Sequence, residues 1–130
     1  DTGEGERAII KITDKDGKLL GYAFKAKGNG YQGEIKLVSG LDNTLSNLVG
    51  IEVLESQETP GLGAEISSEN FRKQFVSLSV VHPIEYVKNR KPEEKYQIEA
   101  ITGATISSRA VVNILNKRIK EVREILKGKQ

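Results

Sequence analysis

The chain has no cysteine, no methionine, no tryptophan and a single histidine in 130 residues. Without cysteine there can be no disulfide, thiolate metal site, iron–sulfur cluster or cysteine nucleophile. One imidazole, His82 beside Pro83, cannot furnish a Ser-His-Asp set or a histidine metal cluster, so it reads as structural. The absence of methionine removes the adaptable apolar groove that Met-rich surfaces provide. No apolar run approaches the roughly 18–20 residues that cross a bilayer as a helix. The start, Asp1-Thr2-Gly3-Glu4-Gly5-Glu6, is acidic where a signal peptide is basic and then apolar, so the chain is expected to be soluble. Neither sign of charge dominates: 20 basic residues face 18 acidic ones, for a net charge of +2. The densest basic stretch, Lys88 to Lys91, runs directly into Glu93 and Glu94. It reads as a solvated loop, and no nucleic-acid partner is expected.

What remains is ordinary globular composition, with 37% hydrophobic and 29% charged residues, which argues against disorder. The length fits one domain able to bury about two-thirds of its unfolded surface. Residues 1–6 read as a flexible N-terminal segment and 7–130 as the folded domain. Ala8 to Thr13 is β-branched and apolar and reads as a strand, Asp14-Lys15-Asp16-Gly17 as a turn, and Leu19 to Lys25 as the partner strand of a hairpin. Gly28-Asn29-Gly30 breaks the pattern. Ile35 to Val38 is a third strand, Ser39 to Asn47 a turn-rich stretch, and Val49 to Leu54 a fourth strand. A loop follows from Glu55 to Gly63. Ser67 or Ser68 then caps a short helix, Glu69 to Phe75. Val76 to Lys88 reads as strand and loop interrupted by Pro83, Arg90 to Lys95 as charged loop, and Tyr96 to Ala100 as a short strand. Val111, Leu115, Ile119, Val122 and Leu126 recur at helical spacing, widened by Val112, Ile114 and Ile125. That helix is expected to open after the hydroxyl run Thr105-Ile106-Ser107-Ser108 and to end at Gly128. Strands first and one long helix last predict an α+β single domain: an antiparallel sheet, a short middle helix and a long C-terminal helix.

Three motifs carry possible chemistry. Gly28-Asn29-Gly30-Tyr31-Gln32-Gly33 spells G-x-G-x-x-G, and Glu52 lies near the offset of a ribose-binding acid. A dinucleotide fingerprint must open a helix, however, and a strand is expected at 34–38, so the stretch reads as a connection between strands. Glu58-Thr59-Pro60-Gly61-Leu62-Gly63 sets a tight backbone that another group can approach closely. Spacing alone leaves a surface turn and a loop packed on a flat ligand equally open. In Thr102-Gly103-Ala104-Thr105-Ile106-Ser107-Ser108, two small residues leave the Thr105 hydroxyl reachable. The free N–H groups of a helix start suit a phosphate. The residues alone also allow a plain N-cap with spare hydroxyls.

Taken together and in order, the Glu58–Gly63 and Thr102–Ser108 motifs resemble the FMN-binding domain family. Tyr31-Gln32-Gly33 is similar to the family's Gly-Tyr-x-Gly stretch, and the likeness runs from about Leu19 into the last helix. The family includes the G subunit of the Rnf complex and the C subunit of the sodium-translocating NADH:quinone reductase. The resemblance implies FMN esterified through its phosphate to Thr105 by a separate flavin transferase. It implies a cofactor site formed by Thr102, Gly103, Ala104, Thr105, Ile106 and Ser107 with Glu58, Thr59, Gly61, Leu62, Gly63 and Tyr31. It further implies a one-electron relay, partnered by other subunits of an ion-translocating membrane redox complex, of the Rnf (ferredoxin/NAD) type. Such a chain is a redox subunit rather than a stand-alone enzyme. It would lie on the extracytoplasmic face and associate with the membrane through an anchor or through those partners. Glu99 stands where the family's attachment signal usually has Asp. That substitution keeps two alternatives open: a non-covalent flavin or phosphate-ligand module, and a structural domain that has lost the flavin.

Overall fold

The computed structural model describes residues 8–58 and 63–128. The segment 1–6, read from sequence as flexible, lies outside the described residues. Four strands, β1 (Ile9–Thr13), β2 (Leu19–Asn29), β3 (Glu34–Asp42) and β4 (Leu48–Ser56), form one antiparallel sheet in chain order. A 3-10 turn at Gly63–Ser67, helix α1 (Glu69–Arg72) and a second 3-10 turn at Lys73–Phe75 follow. Two short strands, β5 (Glu85–Val87) and β6 (Gln97–Glu99), pair in parallel, and α2 (Thr105–Gly128) closes the fold. The expected α+β architecture is therefore present, with the parallel β5–β6 pair as an addition.

Alternation places one face of the sheet inward. Ile9, Phe24, Ser39 and Ile51 are register neighbours across all four strands, and all four are buried. Against them α2 buries Val111, Val112, Ile114, Leu115, Ile119, Val122 and Leu126. Of the residues expected in that stripe, Ile125 at its edge stays 37% exposed. Fully burying one such aliphatic side chain stabilises by roughly 1.5–3 kcal/mol, so this seam holds the helix to the sheet. Phe71 of α1 and Phe75 meet edge to face, with centroids 5.3 Å apart, and both are buried in the core. Ser68 caps α1 by accepting the Phe71 N–H.

Several boundaries differ from the sequence expectation. Strand β2 continues through Gly28 and Asn29, because both pair with β3. Glycine is required at 28: a Cβ there would lie 2.6 Å from Ile114 Cγ1 of α2. Ser39 to Asp42 is strand rather than turn. The Ser39 hydroxyl is buried yet satisfied by donating to the Gly50 carbonyl at 2.7 Å. Helix α2 starts at Thr105, one turn earlier than expected, so the hydroxyl run forms its first turn instead of preceding it.

Candidate functional site

The β2–β3 connection is tight. The Gly30 N–H donates to the Gly33 carbonyl at 2.7 Å, and the backbone N–H groups of Tyr31 and Gln32 turn toward the end of β4. There they meet Glu58. Tyr31 N–H donates to Glu58 Oε1 and Gln32 N–H to Oε2, each at 2.7 Å. The Ser107 hydroxyl, in the first turn of α2, donates to Oε1 at 2.7 Å. Glu58 is only 5% exposed and Ser107 only 3%. Burial pushes the Glu58 carboxyl up. The Ser107 hydroxyl and the N–H groups of Gln32, Tyr31 and Gly33 outweigh that and hold it below its ordinary value. The group is ionised at neutral pH, and the three segments singled out in the sequence meet at it.

The helix start is built as tightly. Gly103 has φ +80°, the left-handed region that a residue without Cβ enters without strain. That residue lets the chain reverse so that the Ala104 N–H reaches the Ile101 carbonyl at 2.9 Å. Ser108 is fully buried, donating to the Ala104 carbonyl at 2.9 Å and accepting the Ile101 N–H at 3.0 Å. Of the three hydroxyls in this turn, two are thus committed to protein partners. Thr105 is half-buried, and its hydroxyl makes no hydrogen bond among the described residues. The first N–H groups of an α-helix have no intrahelical acceptor. The first turn of this 24-residue helix holds no acidic residue of its own. The one anion held against it is the Glu58 carboxylate, bonded to Ser107, and the positive end of the dipole favours negative charge here. The arrangement suits a phosphate ester on Thr105.

The remaining expected site residues divide. Thr102, Gly103 and Ile106 are exposed and Ala104 is buried, all within the turn that delivers Thr105. Tyr31 is 64% exposed, on the β2–β3 turn. Gly63 opens the first 3-10 turn. Thr59, Gly61 and Leu62 lie outside the described residues. Gly30 and Gly33 are not among the residues expected at the site, yet each fixes the turn. A Cβ on Gly30 would collide with Glu58 Oε1 and lie 2.5 Å from Ile35 Cδ1, and one on Gly33 would collide with Gln57 Oε1. Their sequence signal is the glycine-rich string and the Gly-Tyr-x-Gly pattern that Gly30 and Gly33 bracket. Glu52, in the ribose-acid position of the rejected dinucleotide pattern, pairs with Arg72 at 2.9 Å on the surface. His82 stacks on Tyr96 at 3.9 Å.

The FMN-binding domain model matches residues 30–120 of this chain, a span that contains Tyr31-Gln32-Gly33 and both of the other segments. The chain is 38% identical over 122 residues to the G subunit of the ion-translocating oxidoreductase complex of Methanosarcina acetivorans, covering 94% of this chain and 62% of that protein. It is 34% identical over 119 residues to the G subunit of the Na(+)-translocating ferredoxin:NAD(+) oxidoreductase complex of Acetobacterium woodii, covering 91% and 56%. The fold is similar to that of NqrC from Shewanella oneidensis, with a TM-score of 0.78 at 20% identity over 89% of this chain and 61% of that one. The chain thus spans about 60% of the length of these relatives.

Proposed function

The chain belongs to the FMN-binding domain family and its cofactor is FMN; from that premise we propose that it is an electron-transfer subunit with the flavin phosphate esterified to Thr105. One domain over residues 7–130 holds the flavin. The subunit works with other subunits of an ion-translocating membrane oxidoreductase of the Rnf (ferredoxin/NAD) type, the type named for the Acetobacterium woodii relative. A separate flavin transferase makes the ester. The domain sits on the extracytoplasmic face, joined to the membrane through partner subunits or an anchoring segment. No helix among the described residues is long and apolar enough to cross a membrane.

One observation carries the reading: a half-buried Thr105 hydroxyl without a hydrogen bond among the described residues stands at the N-terminus of a long helix, close to two hydroxyls that are already spent. A phosphodiester keeps one negative charge, and a helix N-terminus stabilises such a charge by about 0.3–1 kcal/mol at an exposed site. Thr102 and Gly103 would shape the approach, and the N–H groups of Thr105, Ile106 and Ser107, at the start of the helix, would hold the phosphate. By the family resemblance, the Glu58–Gly63 motif would lie against the ring or the ribityl chain, and Tyr31 would border the site. When bound, the isoalloxazine supplies the electron chemistry, while the chain supplies attachment and position.

The test is an intact mass of protein co-produced with a flavin transferase, beside Thr105→Ala. An adduct of one FMN minus water in the parent and none in the variant is expected. Denaturation-resistant flavin on Thr105→Ala would overturn the assignment. A second reading, non-covalent FMN at the same helix end, is favoured by Glu99, one methylene longer than the Asp of the usual attachment signal. Under that reading acid precipitation releases all the flavin.

A further inference from the structure

Both oxygens of the buried Glu58 carboxylate are engaged by protein donors. Oε1 takes both the Tyr31 N–H and the Ser107 hydroxyl, and Oε2 takes the Gln32 N–H. Its own N–H is held by the Ser56 hydroxyl at 3.2 Å. Gly30 lacks a side chain at the point where one would push this carboxylate away. The contacts join residues 27, 26 and 49 positions away, so the carboxylate ties two segments that no regular backbone ladder links.

We propose that Glu58 is a positioning residue for the flavin site: it locks the Tyr31–Gln32 turn to the first turn of α2 and withdraws the Ser107 hydroxyl, leaving Thr105 as the acceptor. This rests on the reading of Thr105 as the attachment point. The chemistry demands an anion at this position. Every partner of the carboxylate is a donor, and a carboxylate is acceptor-only. A glutamine in its place would aim an NH2 group at one of those donors. At least one backbone N–H would then be left unpaired in a buried place, which is costly. The turn would separate from the helix, and the presentation of Thr105 would loosen with it.

The experiment compares E58Q with N116A in the full chain co-produced with a flavin transferase. Asn116 clamps Ile84 by donating to its carbonyl at 3.0 Å and accepting its N–H at 2.8 Å, so N116A destabilises the fold without touching the site. Three readouts are taken well below both melting temperatures: hydrogen exchange at Tyr31 and Gln32, the esterified fraction, and the visible circular dichroism of attached flavin. In E58Q, exchange at the two amides is expected to rise about tenfold, matching the loss of a charge-assisted hydrogen bond. Esterification is expected to fall about fivefold or more, with an altered flavin dichroism, while N116A keeps parental values for all three. Parental esterification and exchange in E58Q, or an equal fall in N116A, would overturn the proposal. If the parent itself stays unmodified, the covalent reading fails, and titration with free FMN decides the role of Glu58. About fivefold weaker binding by E58Q would then support it, and equal binding would sink it.

Discussion

Two carboxylates hold this molecule together by accepting several donors each. Asp42 accepts from the Thr44 hydroxyl at 2.8 Å, the Asn47 amide at 3.0 Å and the Ser46 N–H at 3.1 Å. Partial burial works to raise its pKa, but the Asn47 and Thr44 side chains and the Ser46 and Asn47 N–H groups prevail and lower it to about 2. Glu58 is shifted in the same direction. A carboxyl whose folded pKa is depressed contributes stability that is present above its unfolded value. That stability is lost as pH falls through the folded one. For Asp42 the window runs from 3.8 down to about 2. Asp42→Asn is therefore expected to cost about 1 kcal/mol at neutral pH. Its stability gap to the parent should close as denaturant melts are repeated from pH 5 toward pH 2; a constant gap would contradict the assignment. Sequence could name Glu58 through its motif and Thr105 through its small neighbours. It could not show that Glu58 is spent on protein donors, because partners so far away leave no local pattern.

At the scale of elements, side-chain amides do the work of missing strands. Gln74 donates to the Glu99 carbonyl at 3.0 Å and accepts its N–H at 2.7 Å, fixing β6 just ahead of the Thr102–Ser108 segment. Asn116 does the same for Ile84 ahead of β5. Either amide replaced by alanine leaves backbone groups without partners, at a cost of about 1–3 kcal/mol. Chemical denaturation should show a lower midpoint with an unchanged slope. The contact of β2 with α2 is set by Gly28. Gly28→Ala places a methyl against Ile114 and should destabilise by about 1–3 kcal/mol through overpacking. Ile114→Ala in the same chain should recover part of that loss. The long helix and the first hairpin were legible because their periodicities of 3.6 and 2 are local. The full extents of β2 and β3 were not. Gly28, Asn29, Ser39 and Asp42 carry turn propensity, and cross-strand pairing overrides it.

Over the whole molecule, the described sheet presents two unlike faces. The inner face packs on α2. The outer face leaves Ile10 at 53%, Ile12 at 41%, Val49 at 60% and Val76, beyond α1, at 59% exposure. These residues make little contact to lose. Val49→Lys is expected to change stability by no more than about 0.5 kcal/mol and to lower the binding of an apolar dye to the folded protein. A large loss of stability would show that Val49 is packed after all. The site proposed for the flavin lies elsewhere, where the β2–β3 turn, the segment after β4 and the start of α2 converge on the Glu58 carboxylate.

The sequence by itself determined the α+β order of elements, the amphipathic α2 with its buried stripe, the reachable Thr105 and the family to which the motifs point. Each is written in residue types and short spacings, which fix backbone propensity and hydrophobic period. Only the tertiary structure decided that Glu58 is clamped by Tyr31, Gln32 and Ser107, that among the described residues Ser107 and Ser108 are spent while Thr105 is not, and that Gly28 and Gly30 sit where side chains cannot. Those outcomes depend on which distant groups packing brings within hydrogen-bond or van der Waals reach, and a pattern read along the chain does not contain that distance.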